Sequence, residues 1–104
     1  MVQFLYLTTI GRKSGLPREI EIWYVEFQGR FYILAEMFET AHFVLNIKAN
    51  PRVSLRIAGN TFPATARILD PNADRERWEQ VRTLGAEKYG WGDGLPIEFV
   101  PDAP

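Results

Sequence analysis

Hydrophobic and polar residues alternate with a period of two over most of the chain and with a period near four in two stretches. These periods divide it into elements. Residues 2–10 (VQFLYLTTI) are rich in β-branched and aromatic side chains and read as a buried strand, stopped by the glycines and proline of GRKSGLP. From Arg18 to Glu26, Ile20, Ile22 and Tyr24 alternate against Glu19, Glu21 and Trp23, which predicts a second strand. The short connection over residues 27–30 predicts a hairpin into a third, Phe31–Glu36. Residues 38–50 carry Phe38, Ala41 and Leu45 at helical spacing. That helix should end at Asn50-Pro51, because the residue before a proline is pushed out of the α region.

The cleanest alternation follows, with Val53, Leu55 and Ile57 facing one way and Arg52, Ser54 and Arg56 the other, as in a half-buried strand. Ala58-Gly59-Asn60 turns into Thr61–Leu69, whose inward set is Phe62, Ala64, Ala66 and Ile68; Pro63 points to an edge or a bulge. Asp70-Pro71-Asn72 opens a second helix, with Asp70 or Asn72 as its cap and Trp78, Val81 and Leu84 or Gly85 as its apolar face. The glycines of residues 90–94 break it before a last short strand, Pro96–Val100. The order βββαββαβ, about six mostly antiparallel strands with two helices, predicts an α+β fold built on a small barrel, one domain over residues 1–104.

Composition narrows the function. With 46% hydrophobic and 13% aromatic residues a core is available, but a chain of 104 residues buries only a modest fraction of its surface, so a homodimer is expected. The absence of cysteine excludes thiolate chemistry, and with one histidine, His42, no metal site is expected. A net charge of −1 gives no field for nucleic acid. No apolar run approaches the roughly 20 residues of a membrane span. The first residues lack the basic start of a signal peptide, so a cytoplasmic location is expected.

The chemistry concentrates in Gly11–Arg18. Arg12, Lys13 and Arg18 stand there with no acid among them, Ser14 adds a hydroxyl, and Gly11 and Gly15 let backbone amides turn toward a ligand. Such a turn holds phosphate or carboxylate; the plain alternative is a solvated hairpin loop. It lacks the spacing of a Walker loop. Asn46 either bonds a ligand or braces the end of its helix. Trp23 and Tyr24 sit on opposite strand faces, so one lines the core and the other meets solvent, a partner or a flat ligand. His42 is a lone imidazole, and Glu36 with Glu39 forms a weak carboxylate pair at a strand end. No nucleophile or acid–base pair is evident and no catalytic residue is assigned, so transfer chemistry would fall to a bound cofactor.

The runs LYLTTIGRKSGLPR, WYV with GRFYILA, and LNIKANPRVSLRI with FPATARIL together resemble the deazaflavin-dependent nitroreductase family, split-barrel proteins related to pyridoxamine-oxidase-like flavoenzymes. The likeness runs from Leu5 to Leu69 and resumes at Leu95–Pro101. It implies a split β-barrel binding the deazaflavin coenzyme F-420. Arg12, Lys13, Ser14 and Arg18, with Gly15 in the turn, would hold the acidic tail; Leu34, Ala35, Glu36 and Met37 would pass beside the ring, and Asn46 is counted with them. Trp23, with Tyr24 and His42, would face the substrate. The implied chemistry is hydride transfer to a nitroaromatic, quinone-like or enone acceptor. The segment Glu36–Asn46 departs from the family: it is shorter, Phe43-Val44 replaces a Trp-Tyr pair, and Glu36 and Glu39 add negative charge where an anionic cofactor would pass. FMN, with one phosphate, is therefore the alternative cofactor, and loss of the cofactor the next. The alternative functions are a non-catalytic barrel binding a flavin, haem or another flat anion, and a protein-interaction domain.

Overall fold

A computed structural model describes residues 3–102, so the first residue of the expected 2–10 strand and the last two of the chain lie outside the described residues. Strands β1 (Phe4–Ile10), β2 (Pro17–Trp23), β3 (Val25–Phe27) and β4 (Arg30–Ala35) come first. A 3-10 turn (Phe38–Thr40) leads into α1 (His42–Ala49), then β5 (Arg52–Ile57), β6 (Asn60–Ile68), α2 (Arg75–Tyr89) and β7 (Leu95–Pro101). All pairings are antiparallel, in one seven-stranded sheet of order β2-β1-β5-β6-β7-β4-β3.

That order forces the sheet to curl. β2 and β3 are its two ends, yet only Tyr24 separates them in the chain. A flat sheet with strands roughly 4.8 Å apart would set its outer strands about 29 Å from each other. Two residue steps reach only about 7 Å. The sheet therefore wraps into a split half-barrel around Leu5, Leu7, Ile33, Leu55, Ile97 and Phe99, all buried. α1 closes it with Val44 and Ile47. α2 covers the outside, packing Trp78, Val81 and Leu84 against Val25, Tyr32 and Leu69.

The structure resolves the expected second strand into two. Tyr24 turns its side chain into the core, at 7% exposure, and its backbone leaves the ladder. Its N–H donates to the Tyr89 hydroxyl at 3.0 Å, and its carbonyl takes the Lys88 ammonium at 2.8 Å. The Tyr89 hydroxyl also lies 2.6 Å from the carbonyls of Tyr24 and Gln3, one of which takes its proton. The partners are some 65 positions away, so no local pattern marks the break.

The expected 38–50 helix is likewise shorter. Phe38 has φ of 50°, a left-handed conformation that a helix excludes, and extended Ala41 caps α1. The inward face is Val44 and Ile47 with Phe43; of the expected stripe Ala41 also packs against the core, while Phe38 is exposed. Pro63 sits in a central strand. Its carbonyl accepts from Asp102 N–H at 3.1 Å, so its missing N–H faces the side where β7 has ended, and no ladder bond to β5 is lost. Asp70 does not cap α2. Its carboxylate accepts from the N–H groups of Asn72 and Ala73 at 2.8 Å and shapes the turn ahead of Asp74.

On the face under α2, β7 buries a carboxylate. Glu98 is 2% exposed and accepts from Tyr32 Oη at 2.8 Å, Arg30 at 3.2 Å and Arg67 at 3.3 Å, with Arg77 at 4.0 Å. Burial pushes the Glu98 carboxyl up, but these hydrogen bonds and the charges of Arg67 and Arg30 outweigh it and hold the group below the usual carboxylate range. Asp74 and Asp102 are lowered too, Asp74 by the Asp70 backbone N–H and Asp102 by Arg52. All three groups bind protons more weakly when folded, so their stabilisation is present above the ordinary carboxylate pKa and is lost as pH falls through the folded values. Urea unfolding from neutrality into acid should show stability falling below about pH 5. In Glu98→Gln it should start lower at neutral pH and fall less steeply; an unchanged acid slope would remove Glu98 from this account.

The loop after α2 is pressed so closely that glycine is required. A Cβ on Gly92 would lie 2.2 Å from the Arg82 carbonyl oxygen, and backbone cannot yield there as a side chain could. Gly92→Ala should cost about 1–3 kcal/mol in urea unfolding, the scale of an overpacked site. A neutral result would mean that α2 and the loop separate freely.

Candidate functional site

Two hollows meet on one side of the barrel. The smaller, about 390 Å³, is bounded by the Gly11–Arg18 turn, β1 and α1. The larger, about 680 Å³, lies between β2, the end of β4 and the last turn of α2. Ile20 and Phe43 border both, so the two hollows adjoin, one basic and the other aromatic.

Local hydrogen bonds set the basic end. Gly11 N–H donates to the Leu16 carbonyl and Gly15 N–H to the Gly11 carbonyl, each at 2.8 Å, and Gly15 adopts φ of 72°, which closes the loop. The Ser14 hydroxyl accepts from Leu16 N–H at 3.2 Å and lies 3.5 Å from the Arg18 guanidinium. Arg12 faces α1: its backbone N–H and guanidinium both reach Asn46 Oδ1, at 3.2 and 2.9 Å, and a second guanidinium nitrogen lies 3.4 Å from His42 Nδ1. Among the described residues Arg12, Lys13 and Arg18 form no ion pair with a carboxylate. Elsewhere Arg56 pairs with Glu19, Arg52 with Asp102 and Arg67 with Asp74.

The aromatic end has a flat wall. Trp23 stacks on Tyr89 with ring centroids 4.5 Å apart and planes 3° from parallel, and Trp23 remains 42% exposed. Tyr24, Phe43 and Trp91 continue the lining, with Leu34 on the floor. Burial pushes the Tyr24 phenol up, so it is a neutral hydroxyl near pH 7. Gly85 and Gly94 let α2 and its loop press on Leu34: a Cβ on Gly85 would lie 2.5 Å from Leu34 Cδ1, and one on Gly94 2.8 Å from the Leu34 carbonyl carbon.

Of the residues singled out in the sequence, Arg12, Lys13, Ser14, Arg18, His42 and Asn46 line the basic hollow. Trp23, Tyr24, Leu34, Glu36 and Met37 line the aromatic one. His42, grouped with the substrate residues on sequence, thus stands at the basic end. Ala35 is fully buried in the core and borders neither hollow, as alternation along β4 requires once Leu34 faces the groove. Gly15 shapes the turn without lining it. The two added acids separate: Glu36 borders the aromatic hollow, while Glu39 is ion-paired with Lys48 and borders neither. Only one of them therefore adds charge to the groove. Ile20, Phe43, Tyr89 and Trp91 were not singled out as groove-lining residues. The pairing of Tyr89 with Trp23 spans most of the chain and leaves no local signature.

The donor set fits an elongated ligand with an anionic tail and a flat ring, because the hollow lined by cations without acid partners adjoins one with a stacked aromatic wall. A family model described as F420H(2)-dependent quinone reductase matches residues 1–94. A solved F420-H2-dependent reductase (FDR-A) is 29% identical, with a TM-score of 0.71 over 94% of this chain and 93% of its own. HutZ, the haem storage protein of Vibrio cholerae, is 22% identical and shares the fold, with a TM-score of 0.79 over 98% of this chain and 83% of its own. Another solved structure, 29% identical with a TM-score of 0.64, is a domain-swapped dimer covered over 80% of its length and 96% of this chain.

The Tyr89 hydroxyl holds the corner that sets Trp23 in the groove. Tyr89→Phe keeps the ring but leaves the buried Tyr24 N–H unpaired, and should cost about 1–2 kcal/mol in urea unfolding. An unchanged midpoint would show that Lys88 alone holds the corner.

Proposed function

The chain belongs to the F420H(2)-dependent quinone reductase family, and from that premise we propose that its basic turn grips the acidic tail of coenzyme F-420 while the aromatic hollow takes the ring and a small flat acceptor. The chain is an F-420-dependent oxidoreductase. The observation that supports the division of labour is that the two hollows adjoin at Ile20 and Phe43, with the cations of the turn lining only one of them.

In this reading Lys13, Arg18 and Arg12 neutralise the tail, and the Ser14 hydroxyl adds a donor. Leu34 and Met37 flank the ring, Trp23 faces the acceptor with the largely buried Tyr24 bordering the same hollow, and the apolar walls keep water from the reacting edge. Reduced F-420 supplies the hydride. The proposed acceptors are nitroaromatics, quinones or enones, since a stacked Trp23–Tyr89 wall favours flat, electron-poor rings.

A homodimer is part of the proposal. Met37 and Leu16 are 66% and 57% exposed, and Phe4 and Phe38 are also exposed, apolar side chains of the kind a second copy would cover. The dimeric relative supports it. A cytoplasmic location and a single domain over residues 1–104 complete the reading; among the described residues no helix is long and apolar enough to cross a membrane.

Lys13→Ala combined with Arg18→Ala should weaken F-420 binding by at least about 1.5 kcal/mol, roughly a tenfold rise in Kd, followed by quenching of the coenzyme's fluorescence. Unchanged affinity would leave the turn as a loop. A protein that quenches neither F-420 nor FMN, yet binds haem, would move the function to that of a haem-binding barrel.

A further inference from the structure

We propose that Asn46 serves the anion site indirectly: it is a buried strut, anchored on Thr9, that fixes the Arg12 guanidinium in its binding orientation before a ligand arrives. The proposal rests on the grip reading above.

Asn46 lies on the inward side of α1 at 5% exposure. Its Oδ1 accepts twice from Arg12, from the backbone N–H at 3.2 Å and from the guanidinium at 2.9 Å, which uses both lone pairs. Its Nδ2 donates to Thr9 Oγ1 at 3.2 Å, and Thr9, on β1, is 1% exposed. An anion offers only acceptors, so the saturated carbonyl cannot serve it, and the remaining amide N–H belongs to a side chain almost wholly inside the protein. Arg12, by contrast, is exposed and keeps guanidinium donors free after bonding Asn46 and His42.

The cations of the turn are therefore held differently. Lys13 has no side-chain hydrogen bond or ion pair among the described residues and acts as a mobile point charge, while the Arg18 side chain has only the long contact to Ser14. Arg12 alone has its guanidinium tied to a buried side chain that is itself tied to a strand. Ordering a long side chain before binding removes part of the entropy cost that binding would otherwise carry, and it gives the fork a fixed direction.

The test is a double-mutant cycle on the affinity for oxidised F-420, read by fluorescence. Asn46→Ala should weaken binding about tenfold in the wild-type background and less than about twofold with Arg12→Ala already present. Binding of a small neutral quinone without a tail, measured in parallel, should not change, whereas a general loosening of the barrel would weaken it. Thr9→Val, which keeps the β-branched shape, should reproduce a smaller loss, about threefold, again only when Arg12 is intact; it carries the cycle if Asn46→Ala does not fold. Equal losses in both backgrounds overturn the strut and leave the grip standing. Unchanged F-420 affinity in Arg12→Ala alone overturns the grip at that residue and the strut with it.

Discussion

A sheet whose outermost strands are joined through one residue must curl, and the rest of this molecule follows from that closure. Tyr24 is the joint. It puts its ring into the core and takes its backbone out of the ladder, where an unpaired N–H and carbonyl would be costly. The last turn of α2 satisfies both through Tyr89 and Lys88. The same tyrosine ring stacks on Trp23, so the device that completes the barrel also builds the flat wall of the groove. α2 can reach that corner because Gly85, Gly92 and Gly94 let its end and the following loop lie against Leu34 and the Arg82 carbonyl without a Cβ between them.

The charges divide into two populations. Outside the groove the arginines are answered by acids, most tightly around buried Glu98, where Arg30, Arg67 and Arg77 converge beneath α2 and tie β4, β6 and β7 to the helix. In the turn the cations are left without acids, and the two arginines instead meet the neutral oxygens of Ser14 and Asn46. Neutral partners orient a guanidinium without cancelling its charge, which a site meant for an anion needs. The acids of the 36–39 segment fit the same division: Lys48 takes up Glu39, and Glu36 stands at the ring end, away from the turn. The family's cofactor, with its acidic tail, is therefore compatible with this chain.

Much of this was legible in the chain itself. Period-two alternation located β2, β5 and β6, β-branched and aromatic composition located β1, and the run of glycine, proline and basic residues located the turn, because each rests on neighbours in sequence. Two local readings were corrected by contacts from afar: the break at Tyr24 depends on Tyr89, and the setting of Pro63 on where β7 ends; the start of α1 was moved by the left-handed backbone of Phe38.

What the sequence determined alone is the range of chemistry: no thiolate, one imidazole, and a basic turn between two strands with no acid in it, a composition suited to an anion and to transfer carried by a cofactor rather than by a side chain. What only the tertiary structure decided is the site's shape. Period-two patterns say which side of a strand is apolar but not how far the sheet bends, and it is the bend that joins the turn, α1 and the end of α2 into one groove. Arg12 met Asn46, and Trp23 met Tyr89, because the sheet closed, and sequence spacing holds no record of that closure.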